Sequence, residues 1–89
     1  MDYLSEDQFN EAFQARLAET RHRLGWKHPR MAHALGIKTD AYKKYEKRPG
    51  SAFPLYLLPR LAFETATPIS YWLAGQPAPS KQLRIVTTS

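Results

Sequence analysis

Nine of the thirteen lysines and arginines in this 89-residue sequence lie between positions 21 and 50: Arg21, Arg23, Lys27, Arg30, Lys38, Lys43, Lys44, Lys47 and Arg48. Only Asp40 and Glu46 oppose them, so this third of the chain carries +7. Residues 1–20 carry −4 (Asp2, Glu6, Asp7, Glu11 and Glu19 against Arg16), and residues 51–89 carry +2. Such a block suits a polyanion, because lysine and arginine that neutralise phosphates release counterions. A solvated basic face without a partner satisfies the same count. Other chemistry finds few reagents. With no cysteine there is neither a thiol nucleophile, a disulfide nor a thiolate metal site. His22, His28 and His33 lack the i, i+4 spacing of a helical zinc site and read as surface histidines. No glycine-rich phosphate loop and no paired-carboxylate arrangement is present. The expectation is a protein that is not an enzyme and needs no cofactor or metal.

The elements that would carry the basic block can be read from caps and periodicity. Ser5-Glu6-Asp7-Gln8 has the form of a capping box, with Leu4 and Phe9 spaced as a hydrophobic staple. Phe9, Phe13, Leu17 and Leu24, with Ala12, recur on one face, and Gly25 is a stop; a first helix is predicted over 6–24. Pro29 suits a first helical turn, which makes His28 the expected cap of a second helix with Met31, Ala32 and Leu35 inward and Gly36 as its end. A third helix is expected from about Lys38-Thr39-Asp40 to Lys47. Ala41, Tyr42 and Tyr45 face one way, while Thr39, Asp40, Lys43 and Lys44 form a charged outer stripe. Pro49-Gly50-Ser51 is a turn. A fourth helix spans about 55–66 with Leu58, Leu61 and Ala62 inward, and Pro59 delays its regular part. Thr67, followed by Pro68, is the expected cap of a short fifth helix, Ile69 to Ala74, closed by Gly75. Phe13, Phe53, Tyr56, Tyr71 and Trp72 are expected in the core. Residues 76–80 read as a linker, and the weakly alternating tail 81–89 as a strand only if it finds a partner.

The length fits one domain, placed at 1–75, with 76–89 as linker and tail. No apolar run approaches transmembrane length, and the acidic N-terminus has none of the blocks of a signal peptide. A cytoplasmic protein is therefore the expectation.

Within 25–46 two short helices meet at a glycine turn. Ala32, four residues before Gly36, admits close helix approach, and Ile37 fills the inner corner. This is the physical recipe of a helix-turn-helix. Ala32, Leu35-Gly36-Ile37, the aromatic-acid pair Tyr45-Glu46 and Trp72-Leu73 together resemble the lambda-repressor/Cro-like helix-turn-helix family over about 9–75. The resemblance implies an all-α, five-helix, lambda-repressor-like DNA-binding domain with a short C-terminal tail. It places Thr39, Asp40, Lys43 and Lys44 at base-facing positions. There, lysines donate to guanine O6/N7, a carboxylate accepts from cytosine N4, and a threonine methyl meets a thymine methyl. Phosphate contact by the lysines and a helix-dipole role for Asp40 are the competing assignments. His28 matches a phosphate-contacting glutamine of the family, although Pro29 beside it is unusual there. Lys27, Arg30, Lys38, Lys47 and Arg48 flank the two helices as further phosphate candidates. Arg21 and Glu46 match a family ion pair that orients the reading helix. Tyr42 stands where the family has a smaller branched residue, so either the core makes room or the ring edges outward.

These readings imply a transcriptional regulator of double-stranded DNA, expected to be a repressor. It would act as a homodimer through 67–89 on a pseudo-palindromic operator, with reading helices about 34 Å apart. The alternatives are a monomer with a disordered tail, or a protein-interaction module, antitoxin or adaptor, on the same scaffold.

Overall fold

The computed structural model describes residues 4–75, and these are all-helical, with no strand among them. The linker and tail at 76–89, and with them most of the expected dimer segment 67–89, lie outside the described residues. The helices are α1 (Glu6–Leu24), α2 (His28–Leu35), α3 (Thr39–Lys47), α4 (Leu58–Thr65) and α5 (Ile69–Ala74); a 3₁₀ turn, Leu55–Leu57, leads directly into α4. None of the helices is long and apolar enough to cross a membrane.

Local chemistry fixes the ends. At the start of α1 the Ser5 hydroxyl accepts from the Gln8 amide at 3.2 Å, and the Gln8 side chain accepts from the Ser5 amide at 2.9 Å. Leu4 remains exposed, while Phe9, its expected apolar partner, is half-buried against the core. α1 closes with Gly25 at φ +72°, its amide and that of Trp26 returning to the carbonyls of His22 and Arg21. α2 closes in the same way at Gly36, where the amides of Gly36 and Ile37 return to His33 and Ala32. α4 repeats the pattern with Ala66 in place of glycine, at φ 52°.

Two caps differ from expectation. The cap of α2 is Lys27, with His28 already helical and Pro29 second, so the helix gains a residue at its start. The cap of α5 is Pro68; the Thr67 hydroxyl donates instead to the Thr65 carbonyl at 3.0 Å. α4 begins at Leu58 with Pro59 in its first turn, where the missing N–H leaves no bond unmade.

Phe13, Leu17, Met31, Ala32, Leu35, Tyr42, Leu58, Leu61 and Trp72 form one buried cluster to which every helix contributes. Phe13 is central to the aromatic part, 5.1 Å from Phe53 and 5.5 Å from Trp72 between ring centroids. Tyr56 departs from the expected aromatic core and lies exposed on the 3₁₀ turn. α2 packs on α3 with Ala32 buried and Ile37 against the core, which sets the angle at which α3 leaves the body.

Gly36 carries part of that geometry. Its positive φ is costly for a side chain, and an added Cβ would lie 3.0 Å from an Arg60 guanidinium nitrogen. Gly36→Ala is expected to lose about 1–2 kcal/mol of stability, read as a lower urea midpoint with an unchanged slope; an unchanged midpoint would show that the turn relaxes freely.

Candidate nucleic-acid interface

The two sides of α3 have opposite characters. Asp40, Lys43, Lys44 and Lys47 are exposed and occupy about 100° of arc on an ideal helix. Thr39 is half-buried at the edge of that stripe, in the first turn. No lysine of the stripe pairs with Asp40: among the described residues the ion pair between charged side chains is Arg21–Glu46, with the His28 ring nearby. The polarity of α3 suits its dipole, with Asp40 in the first turn and Lys44 and Lys47 in the last.

The other side of α3 is held from within. The Glu46 side chain is 2% exposed, and Arg21 reaches it from α1 with two bonds, Nε to Oε2 at 2.9 Å and Nη2 to Oε1 at 3.0 Å. The Tyr42 hydroxyl, one turn earlier on α3, donates to Oε2. Arg21 Nη1 also donates to the Trp26 carbonyl at 3.1 Å, which ties in the α1–α2 connection. One carboxylate thus fixes α3 to α1 and, through Arg21, to the entry of α2. Burial alone would raise the Glu46 pKa, but the hydrogen bonds from Arg21 and Tyr42 hold it below the ordinary carboxylate value. Burial and the bond to Glu46 push the Tyr42 phenol well up, and the Glu46 bond raises Arg21 further. Tyr42 is fully buried, so the core has made room for the ring and given its hydroxyl a partner.

His28 also belongs to this interior. Its Nε2 is buried 3.4 Å from Glu46 Oε1, outside hydrogen-bond geometry, and is therefore not available to a phosphate. Burial, joined by the nearby Arg21 charge, lowers the His28 pKa from its ordinary 6.5 despite Glu46; Lys47 acts in the same direction as Arg21. The imidazole is therefore neutral near pH 7. A histidine with a lowered folded pKa contributes stability that is complete above its unfolded value and is lost as pH falls through that value. Unfolding free energy is expected to fall first as pH drops below 6.5, the ordinary histidine value. A second loss is expected below 4.5, as the depressed Glu46 carboxylate is protonated in the unfolded state before the folded one. Urea unfolding of His28→Gln across this range should remove the first step and keep the second; an unaltered first step would move its origin elsewhere.

The remaining sequence-derived phosphate candidates are on the surface. Lys27, Arg30, Lys38, Lys47 and Arg48 are all exposed. Lys27 and Lys38 are the cap residues of α2 and α3, neither of which has a side-chain cap hydrogen bond. Arg30 lies over the Trp26 ring at 4.1 Å from its centroid, which limits the directions its guanidinium can take. The backbone at Arg48 is held from α1: Gln14 Nε2 donates to the Arg48 carbonyl at 2.7 Å. A cleft of about 650 Å³ adjoins the C-terminal end of α3, with Asp7 and Glu11 of α1 on one wall and Lys47, Pro49 and Gly50 on the other. The acidic start of α1 therefore borders the basic surface at that end.

Sequence reasoning did not find the hydroxyl of Tyr42 as a partner of Glu46, though their i, i+4 spacing on one helix face was a usable signal. It also missed Gln14 and Arg60, which act on backbone carbonyls far away in the chain; Arg60 Nε donates to Ala34 O at 2.8 Å, at the end of α2. Among the described residues no group of three or more histidines, aspartates or glutamates is placed to hold a metal ion. Compared with protein-family models, curated proteins and solved structures, the chain matches none.

Proposed function

We propose that this protein is a sequence-specific, double-stranded DNA-binding regulator of the lambda-repressor/Cro-like helix-turn-helix kind, with α2 and α3 as the two helices of the unit and α3 as the one that enters the major groove. The observation that carries the reading is the two-sidedness of α3. Its outer stripe, Asp40, Lys43, Lys44 and Lys47, is exposed and free of internal ion pairs, while its inner side is fixed by the Arg21–Glu46 pair. A helix that reads base edges needs both unspent donors and a fixed orientation. Thr39, Asp40, Lys43 and Lys44 are assigned to bases. Lys27, Arg30, Lys38, Lys47 and Arg48 are assigned to phosphates, which position the domain without carrying sequence information. The start of α2 carries no acidic side chain, and Lys27 and Arg30 are both exposed there.

One copy offers few contacts for specific affinity, so two copies on a pseudo-palindromic operator, acting as a cytoplasmic repressor, complete the reading. A protein-interaction module is the second reading, favoured by the exposed Leu55, Tyr56 and Phe63. Selection from a random duplex library separates the two. The DNA reading expects an enriched, two-fold-related sequence, and the absence of any enriched sequence would overturn it.

A further inference from the structure

α3 ends differently from the helices before it. α1 and α2 close on a left-handed glycine, whereas α3 runs out into Arg48 at φ −75° and ψ 120°. The chain then reverses in a type II turn. Pro49 is its second residue, Gly50 its third at φ +81°, and the Ser51 amide donates to the Arg48 carbonyl at 3.1 Å. Lys47, Arg48, Pro49 and Gly50 are exposed, and none of residues 47–51 belongs to the core. Among the described residues, the hydrogen bonds that tie this turn to a distant element come from Gln14 alone. Its Nε2 donates to the Arg48 carbonyl at 2.7 Å and to the Ser51 carbonyl at 3.4 Å, so one amide grips the first and last residues of the turn. Both partners are acceptors, which only the NH₂ end of the amide can serve. Gln14 is itself well anchored, since it follows the buried Phe13 on α1. It also lines the cleft that separates Asp7 and Glu11 from Lys47.

We infer that Gln14 is a positioning residue for DNA binding: it sets the turn so that Lys47 and Arg48 meet phosphates from a fixed backbone, held apart from the acids across the cleft. The inference rests on the proposed reading of α3. A cation on a loose segment must be ordered when it meets a phosphate, and ordering the backbone of one residue weakens binding by about tenfold. The Gln14 bonds complete that ordering in the free protein. Because the amide is neutral, it does so without adding a charge to a surface where Asp7 and Glu11 already compete with phosphate for the same cations.

Gln14→Met tests this, since it keeps the length of the side chain and removes the donor. Without DNA, NMR relaxation should show the order parameters of Gly50 and Ser51 falling from about 0.85 towards about 0.6. Those within α1, α2 and α3 should hold, and the urea midpoint should stay near that of the wild type, because neither bond is fully buried. On the duplex enriched by the wild type from a random library, Gln14→Met should bind about tenfold more weakly. Arg48→Ala should then weaken binding clearly less in the Gln14→Met background than in the wild type, whereas a general loss of stability would leave the two effects additive. Unchanged order parameters or additive effects would each overturn the inference. A wild type that enriches no duplex overturns the reading of α3 and this inference with it; a Gln14→Met variant that binds the enriched duplex as tightly as the wild type overturns the inference alone.

Discussion

Glu46→Ala is expected to cost about 3–5 kcal/mol of folding stability, the usual result of stripping one partner from a buried ion pair. The cost comes from what is left behind more than from the contact itself. Arg21 would keep its charge in a site where the residue is only 6% exposed, and the Tyr42 hydroxyl would lose its acceptor in the core. A small domain has about 5–15 kcal/mol in total, so the variant should lose a large share of its stability. Glu46→Gln should fall between, because an amide oxygen still accepts from Arg21 or Tyr42. The double change Arg21→Met with Glu46→Leu should recover the part of the loss that comes from the stranded Arg21 charge, while the Tyr42 hydroxyl still lacks its acceptor. Urea denaturation at neutral pH measures all three. A Glu46→Ala midpoint close to wild type would show that α3 is held by its apolar contacts alone.

The second large effect concerns the outer side of α3. Lys43→Ala combined with Lys44→Ala is expected to weaken binding to the selected operator by about 2–4 kcal/mol, roughly thirty- to a thousand-fold at fixed salt. Stability should hardly change, because both lysines are exposed and unpaired. Salt dependence then assigns each lysine. Removing one that neutralises a phosphate lowers the slope of log K against log salt by about 0.9 and weakens all sequences alike. Removing one that donates to a base leaves the slope in place and relaxes preference at one position. Unchanged affinity and unchanged preference in the double variant would move the reading surface away from α3.

How far the sequence reached depended on the range of each interaction. The capping box at Ser5 and Gln8 and the glycine ends at Gly25 and Gly36 are made within a few residues, and α1 runs from Glu6 to Leu24 as its periodicity indicates. The delayed start of α4 follows from the single fact that proline has no amide to donate. Its end was harder to read, because Ala66 takes the left-handed conformation that glycine normally signals. The cap of α2 shifted by one residue because the restriction proline places on its predecessor is a preference that helix contacts can override. Interactions between distant residues were least legible. Arg21 and Glu46 are 25 positions apart and were brought together only by resemblance to a family. Nothing local indicated that His28 turns towards the same carboxylate, or that Tyr56 would stay in solvent while Phe53 packs on Phe13. The exposed stripe of α3 was legible as a pattern of charge, but its lack of internal ion pairs required coordinates.

The division of α3 into a fastened side and an unencumbered side makes specificity exchangeable. Under the proposed reading, positions 40, 43 and 44 can be rewritten without disturbing Arg21, Tyr42 or Glu46, so new operators can be addressed by mutation at little risk to folding. The same scaffold could then be retargeted repeatedly, in evolution or by design, with the buried carboxylate as its constant part.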